Sequence, residues 1–256
     1  MSNARSKYQY GFSDFHRNSM YDILTREQKA KKIISVLNDF YSGGLEGFSL
    51  LDLGCSTGII ANILSKKFGR VVGIDIDTSA IKYANENFRS ENLEFTIGDA
   101  MCTGFTDESF DVIVCAHVYE HVPDASLLLS EINRILKPGG VCYFAAANRL
   151  NPIEPHYKLA FLSIIPKPFA HLYLRIMGKG NYYYESLLTF WGLKKLVSGF
   201  NVMDYTLKIL KMPQKYSATE MIQPGTFKQK MILRIIKIAY WLSPTYIWLL
   251  QKKKSG

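Results

Sequence analysis

The sequence predicts an α/β fold, in which a sheet carries helices on both faces, an insertion follows the fifth strand, and a basic apolar helix closes the chain. Three observations predict it. First, Leu50-Leu51-Asp52-Leu53 ends an apolar strand and runs into the turn Gly54-Cys55-Ser56-Thr57-Gly58, after which Ile59, Ile60, Ile63, Leu64 and Phe68 recur at helical spacing. Second, Val71-Val72-Gly73-Ile74-Asp75 is a further strand ending in an acid, about 20 residues beyond the turn. Third, Phe110 to Cys115, interrupted only by Asp111, and Val141 to Ala147 are apolar runs, as expected of strands covered on both sides.

Each element has a local cause. Residues 1–25 carry Tyr8, Tyr10, Phe12, Phe15, His16 and Tyr21 among polar residues, and form either a lid or an aromatic-anchored arm. Glu27 to Tyr41 has an amphipathic helical pattern stopped by Gly43-Gly44. A glycine turn such as Gly54 to Gly58 lets a ligand approach the backbone, because no Cβ stands in the way. The helix behind it presents unpaired N–H groups. Thr78 to Phe88 reads as a helix capped by Thr78 or Ser79, Leu93 to Ile97 as the third strand, and Gly98-Asp99-Ala100 as its exit. Asp124 caps a helix through Leu136, and Lys137-Pro138-Gly139-Gly140 turns the chain into the fifth strand. Ser186 is expected to cap a helix through Val197, Asn201 to Leu210 to be the sixth strand, and the seventh to lie between residues 211 and 225.

Composition bounds the function. With 256 residues and 48% apolar content the chain can fill one large core. Cys55, Cys102, Cys115 and Cys142 lack metal-type spacing and read as reduced cytosolic thiols, and residues 1–20 hold no apolar run of the secretory kind. The net charge of +9 is not spread evenly: residues 226–256 hold seven basic side chains and no acid. No separate RNA-binding module is visible, so no nucleic-acid partner is expected, and the oligomeric state stays open.

The motifs narrow the chemistry. A dehydrogenase would carry Gly-x-Gly-x-x-Gly at the first turn, a register this chain fails. Instead Asp52-x-Gly54-x-Ser56-x-Gly58 resembles the first motif of the class I S-adenosylmethionine (SAM) dependent methyltransferases, with Ser56 in place of the middle glycine. Gly98-Asp99-Ala100, the segment Tyr119-Glu120-His121-Val122-Pro123-Asp124 and the turn Leu136-Lys137-Pro138-Gly139-Gly140 resemble further signatures of that family, the second of them in its quinone-biosynthesis O-methyltransferase branch. Together these matches cover residues 50–148.

The resemblance implies a Rossmann-like methyltransferase sheet and SAM as the cofactor. It implies that Asp52, Gly54, Gly58, Asp75 and Ala100 hold SAM, with Ile76 against adenine, Asp99 accepting from the adenine amino group, and His117 near the methionine part. The Asn/Asp-Pro-Pro-aromatic pattern of amino-methylating enzymes is replaced by Ala116-His117-Val118-Tyr119, and the Pro-Cys of cytosine C5 enzymes by Val114-Cys115. These exclusions narrow the acceptor, and the resemblance to the O-methyltransferase branch implies a hydroxyl, with C- or N-methylation left open.

Deprotonating a hydroxyl calls for a base that titrates near neutrality. Ligands of open α/β sheets bind beyond the carboxyl ends of the strands, which makes His117, Glu120, His121, Glu154 and His156 the candidates. His156 is the first choice for general base, with His121 and Glu120 beside it; His156 as a surface or substrate-orienting residue is the alternative. Some quinone enzymes use Glu-x-x-Glu-His at this place for a divalent metal. Here His117 replaces the first glutamate, and a hard cation prefers oxygen ligands. No metal is therefore expected, and Glu120 and His121 read as braces of the following helix start.

Residues 1–45 are thus assigned to the arm and first helix, 46–150 to the SAM-binding core, 151–185 to an acceptor lid, 186–225 to the end of the sheet and 226–256 to a tail. The lid carries Phe161, Phe169, Tyr173, Tyr182, Tyr183 and Tyr184 with Lys158, Lys167, Arg175 and Lys179, apolar enough for a lipophilic or lipid-linked acceptor and basic enough for an acidic one; a plain packing insertion is the alternative. Pro152 to Gly180 and the tail also resemble bacterial methyltransferases associated with cell-envelope polysaccharides. The tail pattern, Met231 to Leu242, a break at Pro244, Tyr246 to Leu250 and Lys252-Lys253-Lys254, leaves an uncharged stretch too short to span a bilayer. It reads as a helix at an anionic membrane surface, which would make the enzyme cytoplasmic and peripheral at the inner face, or as a helix docked on its own domain or a dimer partner. The rival function is a SAM-binding but inactive, membrane-associated interaction module.

Overall fold

The structure is a computed structural model that describes residues 8–253. The first seven residues of the expected arm and the last three of the expected tail, Lys254 among them, lie outside the described residues. In chain order the elements are α1 (Phe12–Phe15), α2 (Arg17–Met20), α3 (Ile23–Phe40), β1 (Ser49–Leu53), α4 (Ile59–Ser65), β2 (Arg70–Asp75), α5 (Thr78–Asn87), β3 (Leu93–Ile97), β4 (Phe110–Ala116), α6 (Ala125–Ile135), β5 (Leu136–Ala147), α7 (Lys167–Ile176), α8 (Phe190–Leu196), β6 (Phe200–Asp204), α9 (Thr206–Lys211), α10 (Phe227–Ile238), a 3₁₀ turn (Tyr240–Leu242) and β7 (Thr245–Lys252).

Seven strands form one sheet in the order β3-β2-β1-β4-β5-β7-β6. Neighbours among β1 to β5 pair in parallel, and β7 runs antiparallel to both β5 and β6. Alternate side chains of a strand face opposite sides, and the core divides accordingly. Leu50, Val71, Val112, Val141, Tyr143 and Leu249 meet the apolar faces of α3, α4 and α5. Leu51, Val72, Ile113, Cys142, Phe144, Trp248 and Leu250 meet those of α6 and α8. The expected sheet with helices on both faces is the observed one.

The C-terminal third departs most from the sequence expectation. Tyr246 to Leu250, read as part of a surface tail, is the buried centre of β7. There Leu249 lies opposite Tyr143 of β5 and Met203 of β6. A five-residue apolar run fits a strand or a helix equally by periodicity, and its aromatic and β-branched content favours the strand. No strand lies between residues 211 and 225, where one was expected. The expected sixth strand splits, because Asp204 accepts from Thr206 N (2.8 Å) and starts α9 where the extended run would have continued. The helix expected from Ser186 begins at Phe190 with Thr189 as its cap, and α5 is capped by Asp77, not by Thr78 or Ser79. The expected tail helix ends at Ile238, and no helix among the described residues is long and apolar enough to cross a membrane.

The segment after β5 folds on a small core of its own, Tyr157, Leu159, Leu162, Ala170, Leu174 and Tyr183. It stands at the carboxyl end of the parallel strands, as do the residues around Trp241, whose carbonyl accepts from Asn148 Nδ2 just beyond β5 (2.8 Å).

Candidate active site

A cavity of about 870 Å³ opens at the carboxyl ends of the strands. On the half built by β1, β2 and β3 its wall includes Gly54, Ser56, Asp75, Ile76, Asp99 and Ala100; on the half built by β4 and β5 it includes His117, His121 and His156. Phe12, Ser13 and His16 of the arm and Arg26 and Lys29 of α3 complete it.

The first half is organised by Asp75. One carboxylate oxygen accepts from Ser56 N (2.8 Å) and the other from Asp77 N (2.9 Å), so this side chain holds both the glycine turn and the start of α5. Burial raises its pKa against the pull of those N–H donors. The turn is tight: Gly54 and Gly58 have φ of 76° and 75°, and Ser56 itself sits at 49°, a left-handed conformation where the family motif has glycine.

The arm covers this half. Ser13 N donates to Asp77 (2.9 Å), Ser13 Oγ bonds Ser56 Oγ (2.7 Å), and Thr57 Oγ1 donates to Met20 O (2.9 Å). Tyr8 donates its hydroxyl proton to Asp99 (2.6 Å), the bond that chiefly raises the Tyr8 pKa to about 12.

Asp52 and Gly58, expected to hold the cofactor, and Glu120, expected beside the general base, stand behind the wall or beneath it. Asp52 is 5% exposed and its Oδ2 has no partner among the described residues. Burial pushes its pKa up to about 7, with Arg26 opposing and Asp75 adding to the rise. Gly58 is absent from the wall: a Cβ there would lie 2.6 Å from Phe95 Cε1 and 2.7 Å from Ala84 Cβ, so packing demands the glycine. Glu120 is buried under His117, whose Nδ1 lies 3.3 Å from Glu120 Oε1.

The second half is a histidine cluster. His117 leaves β4 with φ of 61°, uncommon for a side chain with a Cβ and characteristic of sites where geometry is imposed. The rings of His121 and His156 meet edge to face, centroids 4.9 Å apart. Nδ1 of His156 bonds Oε1 of the buried Glu154 (2.7 Å), whose other oxygen accepts from His156 N (2.8 Å) and Tyr157 N (2.7 Å). Burial opposes a charge on His156, but the hydrogen bond and negative charge of Glu154 prevail and its pKa is raised. His121 Nδ1 bonds Gln9 Oε1 (2.6 Å), and burial drives its pKa down to about 3, so that ring is neutral. Burial opposes the charge of Glu120 as well, yet the His117 hydrogen bond and the surrounding histidines hold its pKa below the usual range.

Sequence reasoning named Glu120, His121, Glu154 and His156, and the structure brings them together. It missed Gln9, Arg26 and Glu185. Gln9 Nε2 donates to buried Glu185 (3.2 Å) while its oxygen serves His121. Nothing local to these residues signals the contact, which spans 176 positions between Gln9 and Glu185. Glu120, His121 and His156 place one potential ligand atom each within 4.8 Å of one another. This donor set fits a divalent cation, with His156 and not His117 as the third donor.

Residues 51–144 match the model of a methyltransferase domain family. The chain is 31% identical over 169 residues to a ubiquinone biosynthesis O-methyltransferase of Psychrobacter arcticus, covering 63% of this chain and 62% of that one. It is 32% identical over 169 residues to a demethylmenaquinone methyltransferase of Staphylococcus aureus, covering 64% of this chain and 70% of the relative. Against the first of these relatives the chain thus spans less than two thirds of the length. A solved complex of the Haloferax volcanii Trm112 methyltransferase activator with a methyltransferase shares the fold, with a TM-score of 0.58 at 17% identity, covering 96% of this chain and 99% of that one. The chain belongs to the class I SAM-dependent methyltransferases, in the branch of the quinone-biosynthesis enzymes.

Proposed function

We propose that this protein moves the methyl group of SAM to a hydroxyl of a lipophilic or lipid-linked small molecule. The observation that carries the reading is the arrangement of the cavity, with the glycine turn and Asp75 on one half, His121 and His156 on the other, and Glu120 buried beside them. SAM lies along Gly54, Asp75, Ile76, Asp99, Ala100 and His117, with Asp75 taking the ribose hydroxyls. To admit the adenine amino group, Asp99 exchanges the Tyr8 proton for it.

In the reaction an oxygen lone pair of the acceptor attacks the methyl carbon, the carbon–sulfur bond breaks, and its electron pair neutralises the sulfonium as S-adenosylhomocysteine leaves. Alignment of the two reactants and exclusion of water supply most of the acceleration. The acceptor's proton goes to the histidine cluster. The Glu154 bond to Nδ1 fixes the His156 tautomer and leaves Nε2 as the acceptor atom. Where a divalent cation is bound, Glu120, His121 and His156 would hold it; with His156 Nε2 then occupied, the cation would make the acceptor hydroxyl acidic enough to lose its proton to solvent.

A lipophilic acceptor suits the rim. Phe161, Phe169, Leu172 and Ile176 of the insertion are exposed, as are Trp191, Ile238, Trp241 and Leu242 at the same end of the sheet. With Lys228, Lys230, Arg234 and Lys237 on α10, this rim favours peripheral association with an anionic membrane surface on the cytoplasmic side. Flotation with anionic vesicles checks it: wild type should float and Ile238→Asp should float less, whereas indifference to the substitution takes α10 out of the contact.

The test of the activity is transfer of a labelled methyl group from SAM to hydroxylated quinone precursors and to lipid-linked glycans. Turnover on either class, lost in His156→Ala with SAM affinity kept, is expected. SAM binding without turnover on any acceptor, together with tolerance of His156→Ala, would favour an inactive SAM-binding module instead.

A further inference from the structure

We infer that Glu120, His121 and His156 form a divalent-cation site that prefers nitrogen-binding ions such as Zn²⁺ to Mg²⁺, and that Glu154 and Gln9 orient its two imidazoles. The inference goes beyond the methyl-transfer reading and does not require transfer to occur.

Three features of these side chains carry it. Glu120 is 1% exposed, yet its Oε2 has no hydrogen-bond partner among the described residues. A buried carboxylate oxygen left unpaired is costly unless a cation or donor meets it. Both histidines have Nδ1 engaged by an outer oxygen, Glu154 Oε1 for His156 and Gln9 Oε1 for His121. Metal-ligating histidines are held in this way, with one ring nitrogen tied to a carboxylate or carbonyl and the other left for the metal. Finally, the three potential donor atoms lie within 4.8 Å of one another, and His121 and His156 face the large cavity, which leaves room for a water or acceptor oxygen as a further ligand.

The donor set decides which ion is preferred. Mg²⁺ binds through oxygen and keeps most of its water, whereas two imidazoles and one carboxylate suit Zn²⁺, Co²⁺ or Fe²⁺. The glutamate that opens the quinone enzymes' Glu-x-x-Glu-His pattern is His117 here, and the His117 ring turns to Glu120 Oε1 instead of joining the donor group. His156, reached only through the loop after β5, takes the vacant role. That exchange of an oxygen donor for a nitrogen donor shifts the preference away from magnesium.

The experiment uses tag-free full-length protein, stripped with a chelator and dialysed, without SAM or acceptor. ZnCl₂, CoCl₂ and MgCl₂ are titrated by calorimetry and by thermal melting, and the Co²⁺ form is followed by its visible absorption. One equivalent of Zn²⁺ or Co²⁺ is expected to bind and raise Tm, with Mg²⁺ at the same concentration giving neither effect. Glu154→Gln should weaken Zn²⁺ about 10- to 100-fold, His156→Ala should lose the site, and His171→Ala, away from the donor group, should bind as wild type. Circular dichroism establishes that each variant is folded; should His156→Ala fail to fold, Glu154→Gln and the Zn²⁺-against-Mg²⁺ comparison decide the matter. Absence of Zn²⁺ binding to wild type, equal affinity for Mg²⁺, or undiminished Zn²⁺ binding by Glu154→Gln would overturn the inference. Because no substrate is present, these outcomes are separate from any failure of the methyl-transfer assay.

Discussion

Gly58 distinguishes a packing glycine from a cofactor-contacting one, and Gly58→Ala tests the difference. Its φ of 75° is left-handed, which costs an alanine roughly 1–2 kcal/mol. The new Cβ would also lie 2.6 Å from Phe95 Cε1 and 2.7 Å from Ala84 Cβ, and both residues are buried in the core under α5. Overpacking of that kind costs about 1–3 kcal/mol. The two contributions together predict a loss of about 2–5 kcal/mol, a large share of a typical domain's 5–15 kcal/mol. Urea denaturation measures the loss, and SAM titration well below the midpoint measures affinity in the folded fraction, which should stay within a few-fold of wild type. Gly54→Ala makes the contrast, since Gly54 lines the cavity and its added Cβ would lie 2.7 Å from Val118 Cγ2. It should lose SAM affinity as well as stability. A Gly58→Ala protein that melts like wild type but no longer binds SAM would refute the packing assignment.

Leu249→Ala, in the buried centre of β7, should cost about 2–5 kcal/mol in urea denaturation; a loss near zero would mean that the last strand is not part of the core. Asp52 has a folded pKa raised to about 7 above an ordinary 3.8, so its contribution is most favourable below about pH 4 and is lost as pH rises to about 7. That loss is at most about 4 kcal/mol, and Asp52→Asn should flatten the fall in stability measured between pH 4 and pH 8 without ligand. An unchanged slope would show that Asp52 ionises freely in the folded protein.

The nucleotide half of the fold was readable because its signals are local. Strand, glycine turn, helix and spaced acid follow one another within residues 50–75, and the structure keeps that order in β1, α4 and β2. Gly58 shows the limit of such a reading, since a positive φ demands glycine whether the empty Cβ position faces a ligand or the Phe95 ring. The C-terminal part was harder for a different reason. Tyr246 to Leu250 is an apolar run whose role is set by β5 and β6 pairing on either side, contacts separated from it by about 40 to 110 residues. At the site, Glu120 and His121 were legible from their motif, but the partner that completes each of them was not. His156 comes from the loop beyond β5 and Gln9 from the arm, and only the folded chain places them against His121.

The most direct test of the SAM-dependent account is a calorimetric titration of wild type and Asp75→Ala with SAM, with NAD as the control. One SAM per chain should bind to wild type, NAD should not, and Asp75→Ala should lose about 1–3 kcal/mol of affinity with the charge-assisted hydrogen bonds to the ribose. NAD binding in place of SAM would contradict the cofactor assignment, and unchanged SAM affinity in Asp75→Ala would remove Asp75 from the site.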